Sequence, residues 1–396
     1  MKDLDAATQL VHAGRDWDPE WGYVNPPVVR ASTVLHTSCE DMMDRVHDEM
    51  ACRDGKPCYG SYGGPAHKAF YSAMKTLEGP NAAGAWAFST GLAATTTPLF
   101  AFVRAGCHAL FSDSIYGPTR EFAEQILRTM GVDVEFFDPV ASPEAIEAMM
   151  RPETTLLMME NPGSHSFEMS DVPGIAAACR RHGVTSVIDN TWATPLYFKP
   201  LDHGVDMVVH AATKYIAGHS DLLMGVVVCN EKEWKNFDKL PEALGFTTSP
   251  DDCYLVLRGM RTLAVRMNQI EKNTDEVVAY LQTRPEIKTI FYPKLPTHPN
   301  HDIFMRDYKG ASGMLTIEFA DGYTKEDAVK FTDALKYFAC GASWGGYESL
   351  ATVTVPPRTA TDWSKRGPFV RFHIGLEDAQ DLIEDLGQAL DKISHK

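Results

Sequence analysis

The stretch His210-Ala-Ala-Thr213-Lys214-Tyr-Ile-Ala-Gly218-His-Ser-Asp221 decides how this chain reads. It follows the apolar run Val205-Asp-Met-Val-Val209, whose length and composition predict a short buried strand. A Thr-Lys pair just past a strand end stands where open α/β sheets build their ligand sites. Small residues on either side let the backbone approach a ligand. A lysine at such a place is costly to desolvate unless it is paired or covalently used. A solvated loop lysine fits the same letters, so the choice rests on what else the chain brings to that edge.

Outward from this stretch, short apolar runs alternate with helical patterns. Ala85–Phe88, His108–Phe111, Val132–Phe137, Thr155–Met159, Thr185–Ile188 and Gly225–Cys229 read as strands. His67–Glu78, the run opened by Ser89 as a plausible N-cap, Arg120–Met130 and Val172–His182 read as helices. Alternation at this spacing predicts an α/β fold with a mostly parallel sheet covered by helices. Right-handed crossovers then bring the C-terminal strand ends to one edge. Ser89, Tyr116, Asp189 and Lys214 all fall at or just after such ends.

Residues 1–63 lack apolar periodicity beyond a short helix near Asp41–Val46, and they read as an arm that must lie on another part of the protein or on a neighbouring subunit. Residues 64–255 form the expected large domain. A long helix, Asp251–Gln282, bridges into a smaller α+β domain assigned to 256–396, with strands Ile287–Tyr292, Met314–Phe319 and Val370–Ile374 and helices Lys325–Leu335 and Asp378–Ile393.

The 396 residues are 44% hydrophobic and 23% charged, enough apolar material for a large core. A net charge of −16 argues against nonspecific binding to nucleic acid or anionic membranes. The eight cysteines form no C-x-x-C pair and fit no zinc spacing, so they read as free thiols of a reducing, cytoplasmic setting, with no metal. No apolar run approaches a membrane span.

The residues gathered at the strand ends match the needs of one cofactor, pyridoxal 5′-phosphate (PLP): a lysine for its aldehyde, an acid beside its pyridine nitrogen, donors for its phosphate and a face for its ring. Lys214 and Asp189 suit the first two. Gly91, Leu92 and the helix they open suit the third, with Thr213 adding a hydroxyl. Tyr116 suits the fourth. Each has an ordinary alternative: a strand-ending turn aspartate, a capped helix, a core tyrosine.

Taken together, Val187-Ile-Asp189-Asn-Thr-Trp192, the His210–Asp221 stretch, Gly14-Arg15, Asn25-Pro-Pro-Val28, Ser32-Thr-Val34 and Arg371-Phe-His-Ile-Gly-Leu-Glu377 resemble the Cys/Met-metabolism family of PLP enzymes, of fold type I, over essentially the whole chain. Glu160-Asn-Pro-Gly-Ser164, Asn190-Thr-Trp192 and Ser343-Trp344-Gly-Gly-Tyr-Glu-Ser-Leu350 are most similar to the cystathionine β-lyases within it. The resemblance implies Lys214 as the lysine that condenses with PLP and then shuttles protons, Asp189 on the pyridine nitrogen, Tyr116 stacked on the ring, and Gly91, Leu92 and Thr213 at the phosphate. Arg371 would clamp the substrate α-carboxylate in bidentate fashion, with Ser343 and Trp344 beside it. Tyr59 would reach the phosphate from a neighbouring subunit and assist proton transfer, within a homotetramer made of two such dimers.

One departure bears on substrate. The family usually carries Tyr-x-Arg where this chain reads Tyr59-Gly60-Ser61-Tyr62, so Ser61 offers the phosphate a hydrogen bond but no charge. Tyr62 stands where some family members carry a basic residue that helps with the distal end of the substrate, and Glu121, five residues past Tyr116, matches a position where an acid can face a distal ammonium group, while Arg120 reads as a solvated helix residue. The expectation is a carbon–heteroatom lyase acting on a small amino acid, cystathionine β-lyase first. The alternatives are a γ-lyase for methionine, cystathionine or a cationic-tailed substrate such as canavanine, and a PLP-fold binding protein without catalysis.

Overall fold

The computed structural model describes residues 4–15, 22–47 and 57–394. Among these residues, β1 (Gly84–Phe88), β2 (His108–Ser112), β3 (Asp133–Phe137), β4 (Thr154–Glu160), β5 (Thr185–Asp189), β6 (Met207–His210) and β7 (Gly225–Cys229) form one sheet in the order β1-β7-β6-β5-β4-β2-β3. All are parallel except β7, which runs antiparallel to both β1 and β6. Five of the seven strands are buried along their whole length, as a sheet covered on both faces requires. Helices Pro65–Glu78 and Val172–His182 pack on one face, where Phe70, Met74, Leu77, Ile175 and Cys179 join the larger core cluster. The other face carries a second cluster around Phe88, Phe111, Phe136 and Phe237.

Five further strands, β8 (Ile287–Phe291), β9 (Met314–Phe319), β10 (Ala339–Cys340), β11 (Leu350–Thr354) and β12 (Phe369–His373), form a second sheet ordered β10-β11-β12-β9-β8. Helices Lys325–Ala334 and Ala379–Leu390 bury Phe331, Leu382 and Leu386 in the core with its strands.

Several expectations are corrected. The bridging helix is two helices, Pro250–Met260 and Leu263–Leu281, broken at Arg261-Thr262. The periodicity of the apolar positions continues through the break, which is why the pattern reads as one element. The helix after β1 is capped by Thr90, not Ser89: Thr90 Oγ1 accepts from Ala93 N at 3.1 Å. The expected Arg120–Met130 helix begins at Gly117 and becomes π-helical over Phe122–Leu127. The arm holds a helix at Ala6–His12 besides Cys39–His47, and Arg261 donates to the carbonyls of Leu10 and Ala13, tying that first helix to its own chain.

Among the described cysteines, Cys39, Cys107, Cys179, Cys229, Cys253 and Cys340 are free thiols, but Cys58 is disulfide-bonded, against the reading of free thiols throughout. No described helix is long and apolar enough to cross a membrane.

Candidate active site

The parallel strands end on one edge of the first sheet, and the residues after them enclose a cavity of about 220 Å³. Gly91, Leu92, Tyr116, Asp189, Thr213, Lys214, Trp344 and Arg371 all line it. Gly91 brings its backbone against β6's exit: a Cβ there would stand 2.6 Å from the Ala211 Cβ. Thr90 satisfies the N–H groups of Ala93 and Ala94, which leaves those of Gly91 and Leu92 for a ligand at this end of the cavity. The Thr213 hydroxyl is already engaged, accepting from Met224 N at 2.9 Å and donating to Met224 O at 3.1 Å.

Asp189, the last residue of β5, is buried. Its Oδ1 accepts from Thr191 N at 3.0 Å and Thr191 Oγ1 at 2.5 Å, and Thr191 Oγ1 in turn accepts from Ala211 N at 2.8 Å. The carboxylate is thus fixed through one oxygen, and Oδ2 is left to the cavity. Glu160, the last residue of β4, is its register neighbour. Burial raises the Asp189 pKa, and burial together with Asp189 holds the Glu160 carboxyl well above the usual carboxylate range. Glu160 Oε2 accepts from Tyr116 N at 2.6 Å and Oε1 accepts from Ser164 Oγ at 2.7 Å, so it sets the turn that presents the Tyr116 ring.

Lys214 Nζ donates to Ser343 Oγ at 2.6 Å and stands 5.3 Å from the centre of the Trp344 ring. Burial first, then the Arg371 guanidinium, brings its pKa down to about 8. The segment after it is held from below by buried Arg266, which donates to the carbonyls of Tyr215, Ile216 and Gly259. Gly345 and Gly218 permit this packing: a Cβ on Gly345 would meet Lys214 Cα at 2.9 Å, and one on Gly218 would meet Arg266 Nη1 at 2.1 Å. Arg371, on β12, enters from the second sheet, and its Nη2 donates to the carbonyls of Ala342 at 3.1 Å and Ser343 at 3.4 Å.

Other expected residues are not brought to this cavity within the chain. Tyr59 and Ser61 line a separate cleft with His67 and Thr248, and Tyr62 ends the short turn Gly60–Tyr62 beside it. Glu121 is exposed and does not line the cavity. Arg120 is not solvated: it is 4% exposed, and its Nη2 donates to Asp113 Oδ1 at 2.5 Å. Asp113 also accepts from the backbone and hydroxyl groups of Thr359 and Thr361, so this buried pair clasps the 358–361 segment to the loop that carries Tyr116. Glu160, Thr191 and His165 line the cavity as well. Glu160 ends β4 and Thr191 follows β5, the same strand-end signal that marks Asp189, whereas nothing in the sequence marks His165.

The cavity fits PLP on its own geometry. A buried carboxylate keeps one oxygen open where a cationic pyridine nitrogen would supply the missing counter-charge. A depressed lysine stands in the same cavity, and two unpaired backbone N–H groups lie where a phosphate would sit.

Comparison with known proteins agrees. The family described as Cys/Met metabolism PLP-dependent enzyme matches residues 7–391. Curated relatives 33–42% identical are mostly named for cystathionine β-lyase. They include the cystathionine β-lyase of Bordetella avium, 39% identical over 99% of this chain and 100% of its own. A relative named L-alanine/L-glutamate racemase, from Wolbachia pipientis wMel, is 37% identical over 97% of this chain and 96% of its own. The crystal structure of metB from Corynebacterium glutamicum superposes with a TM-score of 0.89 at 31% identity, covering 99% of each chain. A family match along nearly the whole chain, relatives of this similarity and a shared fold place the chain in the Cys/Met metabolism family of PLP-dependent enzymes.

Proposed function

We propose that this chain is a PLP-dependent carbon–sulfur lyase that cleaves cystathionine by β-elimination to homocysteine, pyruvate and ammonia. The observation that carries this reading is the joint placement of Lys214, Asp189 and Arg371 in one cavity: a depressed amine, an open carboxylate and a guanidinium. The names of most relatives support cystathionine as the substrate.

When bound, PLP supplies an electron sink for the negative charge that develops at the substrate Cα. Asp189 would hold the proton on the pyridine nitrogen, and Thr191, itself held by Ala211 N, keeps that carboxylate in place. Tyr116 would cover the ring. Arg371 draws in the α-carboxylate and so aims the Cα–H bond at Lys214. Lys214, with a pKa of about 8, is able to take a proton at Nζ and return it near neutral pH. Ser343 Oγ, 2.6 Å away, holds Nζ on that side of the cavity.

Tyr59 and Ser61 complete the phosphate end from a neighbouring subunit in a dimer of dimers. Support comes from their separate cleft and from Tyr59 being 51% exposed in the single chain. The exposed Glu121 outside the cavity gives a cationic-tailed substrate no partner within the chain.

The test is incubation of the purified, PLP-loaded protein with L-cystathionine, L-canavanine and L-alanine in parallel. Pyruvate with homocysteine from cystathionine is the expected outcome. Homoserine with hydroxyguanidine from canavanine would replace this reading with cleavage at Cγ, in which water takes the place of the leaving group. Inversion of alanine without keto acid would replace it with racemisation.

A further inference from the structure

The Arg371 guanidinium shares its fork with the protein. Its Nη2 donates to the carbonyls of Ala342 at 3.1 Å and Ser343 at 3.4 Å, and both ways of gripping a carboxylate with two parallel N–H groups draw on Nη2. A carboxylate docked there therefore competes with these carbonyls for Nη2, and a further donor beside Arg371 would strengthen its hold. His165 stands in the same cavity wall. Its backbone adopts φ 66°, a left-handed conformation that costs a non-glycine residue energy and is found where surrounding structure enforces it. Its Nδ1 is 2.7 Å from Thr354 Oγ1, at the end of β11, and no described side chain or backbone group takes Nε2.

We propose that His165 is a substrate-specificity residue whose Nε2–H is the second donor to the carboxylate bound by Arg371. The inference rests on the reading above that Arg371 takes the substrate carboxylate. The 2.7 Å contact with Thr354 Oγ1 allows either tautomer; in the one the proposal requires, Thr354 donates to Nδ1 and the ring proton is on Nε2. Burial, then Arg371 and Arg358, hold the imidazole pKa down to about 4, so the ring is neutral at working pH. The nearby cation does not share the role: Arg358 does not line the cavity, its Nη2 donates to Glu168 and Ser166, and its Nη1 donates to the carbonyl of Asp113. A neutral donor beside one cation grips a group that accepts at both oxygens. A primary amide would turn its NH₂ against one of the two donors.

The PLP-loaded enzyme is titrated with L-alanine and with L-alaninamide, following the visible absorbance of the cofactor. His165→Leu is expected to lose about tenfold of the preference for carboxylate over amide, the share of one hydrogen bond to a charged group, while His165→Gln keeps it within about threefold because its amide N–H reaches the Nε2 position. Both variants carry the same backbone strain, so strain cannot produce the difference. His165→Leu retaining the wild-type preference would overturn the proposal. Should that variant fail to load PLP, Thr354→Val carries the same test, with an expected loss of about threefold. An unchanged preference there would overturn the proposal as well. Arg371→Leu separates the two layers. If it abolishes the preference while His165→Leu does not, only the role of His165 falls. If it also leaves the preference intact, the placement of the carboxylate falls with it.

Discussion

The two walls of the cavity are built on different principles. The wall at the edge of the first sheet presents Asp189, Lys214 and the Gly91 turn from strand ends and the segments that follow them. The opposite wall is assembled mostly from loops, His165 on the strained turn after β4 and Ser343 and Trp344 ahead of β11, with Arg371 reaching in from strand β12. Strand ends are fixed by ladders of hydrogen bonds that many residues share. The loop wall depends on a few buried polar contacts, above all Asp113 with Arg120 and the 359–361 backbone. The first wall suits a bound cofactor that stays in place. The second suits a partner that changes with every turnover, and small substitutions there redirect specificity without disturbing the fold.

The comparison breaks most visibly at Lys214. Lys214→Ala is expected to reduce pyruvate formation from cystathionine by about 10³-fold or more with the fold intact by circular dichroism, because proton transfer at Cα loses its base. A variant within tenfold of wild type would remove Lys214 from the chemistry. The loop wall gives way through stability instead. Asp113→Ala strands the buried Arg120 guanidinium and frees the 358–361 segment, so unfolding in urea should show a loss of about 3–5 kcal/mol. A loss under 1 kcal/mol would mean that the clasp does not hold the wall.

The sheet wall is sharpened by Asp189→Asn, which keeps the shape and the Thr191 contacts but removes the charge. Turnover should fall about 10²-fold, as when a single preorganised electrostatic group is lost. Thr191→Val, which removes one of the two donors to Oδ1 while keeping the charge, should cost about tenfold, the worth of one hydrogen bond to a charged group. Equal losses in the two variants would show that the orientation of Asp189, not its charge, is what matters.

The same contrast explains what could be read in the sequence. The alternation of apolar runs and helical patterns locates the strands of the first sheet to within a few residues, and strand ends are where α/β sites form, so Asp189, Lys214 and Gly91 stand out. Arg371 was legible only through resemblance. Nothing local marks a mid-strand arginine as cavity-facing. His165 was not legible at all, because its place depends on a positive φ and on Thr354, 189 positions away. Arg120 misread as solvated for a similar reason: its partner Asp113 is close in sequence, but the burial comes from Thr359 and Thr361 of the second domain. The helix break at Arg261-Thr262 is invisible to periodicity, since both halves bury the same face.

The smallest expected effect lies where the walls meet. Lys214 belongs to the sheet wall, yet the second cause of its depressed pKa, after burial, is Arg371 from the loop wall. An amine with a pKa near 8 is protonated below that pH and becomes a nucleophile as pH rises through it. In the protein stripped of PLP, acylation of Lys214, followed by peptide mass spectrometry, should therefore climb with a midpoint near 8 rather than at the 10.5 of a solvated lysine. Arg371→Met removes the neighbouring cation and leaves the burial, so the midpoint should move upward but stop short of 10.5. A midpoint that stays near 8 in the variant would assign the whole depression to desolvation, and the two walls would then be electrostatically independent. A midpoint that moves would mean that a substrate carboxylate, by neutralising Arg371, raises the basicity of Lys214 as it docks, so that the loop wall prepares the base it does not itself contain.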